Sequence, residues 1–258
     1  MKFKKIAALL GAFTIASSLL IAGCGQEGNS QKAWRVGTDA TYAPFGFKDK
    51  DSGKLAGFDI DIINAIANEE GIEADIQNLN FDALLPALQS NTIDIAISDM
   101  TISEERAKSV DFSKPYYIAG NGLVDNTNIN SFKDLEGKRI GVSIGSTGAE
   151  IASKIPNADV RQFNIIVDAF LELQNKGVDV VINDTPVNEY YVNGKGKGIA
   201  KVTGEDYDAA PLGIAVKKGN TELLNKINDG LAKIKANGKY AEIYKKWFGK
   251  EPPAEVLR

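Results

Sequence analysis

The sequence contains no histidine and a single cysteine in 258 residues. Histidine is the one side chain that ordinarily titrates near neutral pH, and it is the commonest metal ligand. Its absence excludes imidazole acid–base chemistry and histidine-held metals. One cysteine excludes an intrachain disulfide and cysteine-ligated zinc. Basic clusters are also lacking. The densest, Gly194-Lys195-Gly196-Lys197-Gly198, reads as a solvated turn. With 30 basic against 34 acidic residues the net charge is −4, the wrong sign for a nucleic-acid partner. Asp, Glu, Lys, Tyr and Ser remain for chemistry. So short an inventory points to binding rather than catalysis, with no catalytic residue, metal or cofactor expected.

What is present begins with a targeting pattern. Met1-Lys2-Phe3-Lys4-Lys5 is basic, residues 6–21 are apolar and uncharged, and Leu20-Ile21-Ala22-Gly23-Cys24 closes the run. Its length alone would suit a membrane-crossing helix. The small residues before Cys24 resemble the lipobox of bacterial lipoproteins, and the polar Gly25-Gln26-Glu27-Gly28-Asn29-Ser30 beyond favours cleavage. Residues 1–23 are therefore expected to be a signal peptide, Cys24 a lipidation site and 24–32 a tether. Removal of Lys2, Lys4 and Lys5 with the signal leaves 235 residues carrying −7. That length sits where one core starts to divide into two.

Hydrophobic periodicity sets out two βα series. Residues 34–38 alternate as a strand. Residues 45–48 and 54–58 suit a hairpin around Lys50-Asp51-Ser52-Gly53. A helix is expected over 59–70, N-capped by Asp59 and stopped by Gly71. A strand over 72–77, a helix over 82–90 and a buried strand over 93–97 complete a β-α-β-α-β run, hence a parallel sheet. Residues 118–124 are an extended connector. The second series places strands at 139–142, 160–163 and 178–182, and helices at 146–154, 168–174 and 186–192. Residues 200–202 and 212–216 are extended. Helices over 221–236 and through Tyr240, Ile243, Tyr244, Trp247 and Phe248 follow, and the Pro252-Pro253 tail should fray. The reading is α/β with two lobes: 33–117 plus 212–250, and 121–208. Connectors at 118–120 and 209–211 form a two-strand hinge, which suits closure on a ligand.

The candidate site residues fall where α/β proteins place ligands, at strand ends and helix starts. Ser98-Asp99-Met100-Thr101 leaves the 93–97 strand, and Arg106 follows a Ser-Glu-Glu turn. A guanidinium there can fork onto a carboxylate, although a lone arginine is ordinarily a surface residue. Gly145-Ser146-Thr147-Gly148 joins a strand to a helix, so it is either an anion-holding turn or an ordinary cap, and it lacks the lysine of a phosphate loop. Asp184 ends a strand and can meet an ammonium group, or cap the helix that starts with Thr185-Pro186. Tyr42 and Phe81 can sandwich a side chain or pack in a core.

Taken together, Gly37-Thr38-Asp39-Ala40-Thr41-Tyr42-Ala43-Pro44-Phe45, Gly57-Phe58-Asp59-Ile60-Asp61, Met100-Thr101-Ile102-Ser103-Glu104-Glu105-Arg106, Val110-Asp111-Phe112-Ser113, Gly145-Ser146-Thr147-Gly148 and Tyr244-Lys245-Lys246-Trp247-Phe248 resemble the extracytoplasmic solute-binding proteins of polar amino-acid ABC transporters. The resemblance runs along nearly all of residues 34–250. It implies a type II periplasmic-binding-protein fold, with two parallel-rich sheets flanked by helices. It also implies roles. Arg106, Thr101, Ser146 and Thr147 hold an α-carboxylate. Asp184 and backbone near Ser98 or Met100 hold the α-ammonium. Tyr42 and Phe81 stack on the side chain, and Asp39 faces its far end. The implied partners are a free polar amino acid, a transporter permease and, through Cys24, the membrane, with the protein a monomer.

Arg161-Gln162-Phe163 and Asn183-Asp184-Thr185-Pro186 bring the chain near glutamine-binding members. Those members pair the residue like Asp39 with a lysine from the second lobe. Here that stretch is Ser143-Ile144-Gly145, and Asp99 stands where they tend to have glycine. Two carboxylates would then lack partners, which favours arginine or lysine as ligand, unless Asp99 turns away to cap the 103–106 turn. A sensor lipoprotein and a cyclohexadienyl-type dehydratase on the same fold are the alternatives.

Overall fold

The computed structural model describes residues 33–127 and 129–257; the expected signal peptide, Cys24 and tether lie outside them. In chain order the first part holds β1 (Trp34–Thr38), β2 (Thr41–Tyr42), β3 (Gly46–Lys48), β4 (Leu55–Ala56), α1 (Phe58–Glu69), β5 (Ala74–Asn78), α2 (Phe81–Gln89), β6 (Ile95–Ala96), α3 (Glu104–Ala107), β7 (Val110–Phe112) and β8 (Tyr117–Asp125). A 3-10 turn at Phe132–Leu135 leads to β9 (Arg139–Ser143), α4 (Thr147–Ala152), β10 (Asp159–Phe163), α5 (Ile166–Gln174), β11 (Val180–Asp184), α6 (Thr185–Asn193), β12 (Lys201–Leu212), β13 (Ala215–Lys217), α7 (Thr221–Ala236), α8 (Lys239–Phe248) and α9 (Ala254–Leu257).

The strands build two five-stranded sheets with one plan. The first runs β5-β1-β6-β13-β7 and the second β10-β9-β11-β8-β12. In each, the first three strands are parallel, the fourth runs against them, and the fifth pairs antiparallel with the fourth. The chain passes between them along β8 and β12, whose pairing opens at Tyr117↔Leu212 and Ile118↔Pro211. A three-stranded ribbon, β2-β3-β4, packs on α1 through β3 and β4.

The shared plan extends to side chains. Arg35, second residue of β1, donates Nε and Nη2 to the Asp94 carboxylate, and Nη1 to the Asn91 carbonyl. Arg139, first residue of β9, does the same to Asp179 and to the Lys176 carbonyl. In both lobes the clamp ties the start of the first strand to the turn before the third. A bidentate pair of this kind fixes direction as well as distance, so the third strand emerges at a set position and its C-terminal residues face the same crevice.

Several expectations change in detail. α1 is N-capped by Gly57, not Asp59, whose carboxylate makes no cap bond. Gly57 has φ +140°, and a Cβ there would lie 2.0 Å from the Phe45 carbonyl oxygen, so only glycine allows this entry. The strand expected over 93–97 is reduced to Ile95–Ala96, because Ile93 and Ile97 pack without ladder partners on both sides. The extended stretches near 200 and 212 join into one strand, β12, interrupted by register shifts around Tyr207. The tail beyond Pro253 forms α9, with Val256 buried. α7 spans the expected residues, with Leu223, Ile227, Leu231 and Ile234 inward.

Candidate functional site

The C-terminal ends of β1 and β6 in the first lobe and of β9 and β11 in the second converge on one cavity. It is lined by Asp39, Tyr42, Phe81, Asp99, Thr101, Arg106, Ser143, Ser146, Thr147 and Asp184. All were sequence candidates. The enclosed space is about 20 Å³, room for about one water molecule. Two further candidates lie behind the wall. The Ser98 hydroxyl accepts from the Asp39 N–H at 3.0 Å. Met100 is wholly buried with Leu84, Leu88, Ile93 and Val110, and its carbonyl accepts from the Gly213 N–H.

Arg106 is held by local chemistry. Ser103 caps α3, its hydroxyl accepting from the Arg106 N–H. That short turn folds the guanidinium back over the Phe81 ring, 5.2 Å from its centroid. Nη1 donates to the Thr101 carbonyl at 2.9 Å, and Nη2 crosses the cleft to the Gly145 carbonyl at 3.0 Å. Burial works against its charge, while Glu150, Asp184, Tyr42 and Asp99 favour it; a guanidinium stays protonated under such a balance. Phe81 thus stacks on Arg106, where the sequence reading had it stack on a ligand's side chain.

The turn opposite is a cap. Ser146 Oγ accepts from the Ala149 N–H and donates to the Ser143 carbonyl. Thr147 Oγ1 pairs with the Asn121 side chain. Asp184, by contrast, makes no cap bond to α6. Its carboxylate meets the Tyr42 hydroxyl at 2.5 Å, and that hydroxyl also lies against the Asn183 side-chain oxygen. Tyr42 belongs to the first lobe and Asn183-Asp184 to the second, so this contact and the Arg106–Gly145 bond both span the cleft. Burial pushes the Asp184 carboxyl up to about 6, against the pull of Tyr42 and Arg106.

The three cavity carboxylates differ in how they are satisfied. Asp39 Oδ1 accepts from the Thr41 N–H at 2.9 Å and the Thr41 hydroxyl at 2.7 Å; burial raises its pKa and these bonds oppose the rise. Asp184 has Tyr42. Asp99 is 3% exposed, and neither of its carboxylate oxygens accepts a hydrogen bond from any described residue. Burial raises its pKa well above the carboxylate range, and Asp184 and Asp59 push the same way. The cap of α3 is Ser103, so Asp99 does not turn away to serve it; Asp99 is instead one of the residues that line the cavity. Two residues that sequence reasoning missed support this wall. Asn183, 2% exposed, meets Tyr42, and Asp59, wholly buried, accepts the Asp99 N–H at 2.8 Å. Asp59 has a visible signal, an acid two residues after Gly57 among apolar residues, a pattern that reads equally as a helix cap.

Residues 34–250 match the description of bacterial extracellular solute-binding proteins, family 3. The chain belongs to that family. Among solved structures it is similar to an ancestral arginine-binding protein bound to arginine, at 46% identity and TM-score 0.82, covering 85% of this chain and all of that one. It is also similar to the arginine-, lysine-, histidine-binding protein of Geobacillus stearothermophilus, at 38% identity and TM-score 0.83, covering 88% and 99%. The glutamine-binding protein of a Bacillus subtilis ABC transporter is 35% identical, with 96% of this chain and 97% of that protein covered. The architecture is accordingly the two-lobed α/β fold of this family, with parallel-containing sheets.

Proposed function

We propose that this family member is a receptor for a cationic amino acid, arginine or lysine, which it encloses between its lobes and delivers to an ABC transporter permease. The observation that carries the reading is the Asp99 carboxylate, buried in the cavity wall with no hydrogen-bond partner among the described residues. The lining sets Asp39, Asp99 and Asp184 against Arg106 alone. A zwitterion adds no net charge: its carboxylate meets Arg106 and its ammonium meets Asp184. Asp99 is then left as a buried unpaired acid, a costly arrangement that a guanidinium or ammonium on the ligand relieves. Asp39, already bonded to Thr41, is the further acceptor at the distal end.

In this reading Thr101, Thr147 and backbone at the Ser146 turn complete the carboxylate seat. The cavity is too small for an amino acid as it stands, so entry requires the lobes to part and Tyr42 to yield the Asp184 carboxylate. Bending is assigned to 118–120 and 209–211, where β8 and β12 begin their pairing. The protein works as a monomer on the extracytoplasmic side of the membrane, anchored by lipid on Cys24 after loss of residues 1–23, and it performs no chemistry on its ligand.

A calorimetric and thermal-shift screen of the common amino acids tests this. Arginine or lysine at micromolar affinity or better, about −8 kcal/mol, is the expected result. A preference for glutamine over both would overturn the cationic reading. Recovery of a chemically altered ligand would overturn the assignment as a receptor.

A further inference from the structure

Asp59 lies beneath the cavity and does not line it. It sits in the first turn of α1, is wholly buried, and makes no cap bond. Its two oxygens are spent elsewhere. Oδ2 accepts the Asp99 main-chain N–H at 2.8 Å, and Oδ1 accepts the Tyr116 hydroxyl at 2.9 Å. Tyr116 is fixed in turn, its carbonyl taking the Tyr240 hydroxyl at 2.6 Å and its N–H donating to the Leu212 carbonyl at 3.0 Å. Asp59 is thus a rigid post between the helix, the crossing strands and the strand-end turn.

That turn needs a post. Asp99 has φ +48°, in the left-handed region that glycine enters freely and other residues enter at a cost. Glycine would give the turn and no carboxylate. An aspartate supplies the carboxylate only if the surroundings hold its backbone in the unfavourable region. The Asp59 acceptor does so: it fixes the direction of the Asp99 N–H, and hence of the peptide plane from which the Asp99 side chain projects into the cavity.

We infer that Asp59 is a specificity-determining positioning residue, which sets the left-handed Asp99 turn so that the Asp99 carboxylate meets the cationic end of the ligand. The inference rests on the cationic reading above and adds a residue to it that touches no ligand. Its consequence is selective. Loss of the post should weaken cationic ligands, which use Asp99, and leave neutral ones, which do not.

The test is a comparison of arginine and glutamine affinities by calorimetry in wild type, Asp59→Ala, Asp59→Asn, Asp99→Gly and Asp59→Ala with Asp99→Gly. Asp59→Ala should cost arginine about 10-fold or more, the scale of one buried hydrogen bond to a charged group, with glutamine changed far less. Asp59→Asn can still present an oxygen to the Asp99 N–H and an amide to Tyr116, so it should restore most of the loss. With Asp99→Gly in place, Asp59→Ala should no longer change the ratio of the two affinities. Where Asp59→Ala fails to fold, Tyr116→Phe, which frees the other carboxylate oxygen, should shift the ratio in the same direction. Equal loss of both ligands, or an unchanged ratio in every Asp59 and Tyr116 variant, overturns the role of Asp59. A wild type without a cationic preference overturns the reading beneath it instead, so the two failures are distinguishable.

Discussion

Asparagine at position 99 keeps the shape of the side chain and, after glycine, is the residue that best tolerates a left-handed backbone. It removes only the charge. Two opposite effects follow from the same atom. Among the described residues nothing donates a hydrogen bond to this buried carboxylate. A neutral amide left unpaired costs about 1–3 kcal/mol, and an unpaired carboxylate costs more. Asp99→Asn should therefore stabilise the free protein by about 1–3 kcal/mol, or roughly 2–4 °C in Tm per kcal/mol at this chain length. The gain depends on pH. The folded state holds the Asp99 proton more tightly than the unfolded chain does, so Asp99 destabilises the fold increasingly as pH rises above the ordinary carboxylate pKa. The stabilisation should be full at alkaline pH and vanish near pH 4. In the complex the sign reverses, because a cationic ligand loses its buried counter-ion. Truncating one side of such a pair costs about 2–4 kcal/mol, or ~30- to 1,000-fold in Kd for arginine. Glutamine should stay within about threefold. Differential scanning fluorimetry across pH 4–9 and titration calorimetry with arginine, lysine and glutamine read both effects. A free protein that melts lower than wild type at pH 8, or equal losses for arginine and glutamine, would refute the reasoning.

Arg106→Ala should abolish binding of every amino acid, since among the described residues the guanidinium is the one cation lining the cavity; retained calorimetric binding of any of them would contradict its role. Tyr42→Phe removes the hydroxyl that occupies Asp184 across the cleft; small-angle scattering should show a more open ligand-free protein, with arginine affinity kept or improved. Arg35→Ala and Arg139→Ala break half-exposed clamps, so each should lower Tm by an amount corresponding to about 1 kcal/mol or a little more and leave selectivity unchanged. Asp59 and Asp184 keep their protons in the fold up to about 7 and about 6, above the ordinary aspartate value of about 4. The fold therefore binds more protons than the unfolded chain, and ligand-free stability should fall as pH rises from 4 to 7. Stability that rises over that interval would exclude the assignment.

The elements legible in the sequence are those whose periodicity is strong and local. α7 could be read from Leu224, Ile227, Leu231 and Ile234 alone, although Leu223 rather than Leu224 proves to be buried. What escaped depends on long-range pairing. β12 carries Gly204, Pro211 and several acids and has no strand pattern, yet it pairs with β8 over much of its length. α9 follows two prolines and was expected to fray, but Val256 finds a place in the core. The strand ends were legible because ligand sites on α/β sheets occur there, so the lining residues could be named before their geometry. The direction of a carboxylate was not. It turns on a backbone torsion at Asp99 and a hydrogen bond from forty residues away at Asp59, neither of which leaves a periodic trace.

The two lobes share a scaffold and differ where chemistry is needed. The Arg35–Asp94 and Arg139–Asp179 clamps set β6 and β11 alike, and each strand then runs to an aspartate, Asp99 or Asp184. The scaffold alone would make these equivalent. Their surroundings separate them. Asp184 keeps an ordinary backbone, φ −61°, at the start of α6, and α4 packs directly on its strand through Gly148, where a Cβ would lie 2.7 Å from the Ile182 oxygen. In the first lobe α1 interposes the Asp59 carboxylate, and Asp99 takes a left-handed backbone against it. One aspartate is thereby left to accept from a hydroxyl or an ammonium, while the other is held buried without a partner. On the cationic reading, selectivity follows from that broken symmetry rather than from the carboxylate clamp. Asp99→Gly keeps the left-handed turn and removes the buried carboxylate, so on the cationic reading it should shift preference toward neutral ligands without disturbing the scaffold that closes on them.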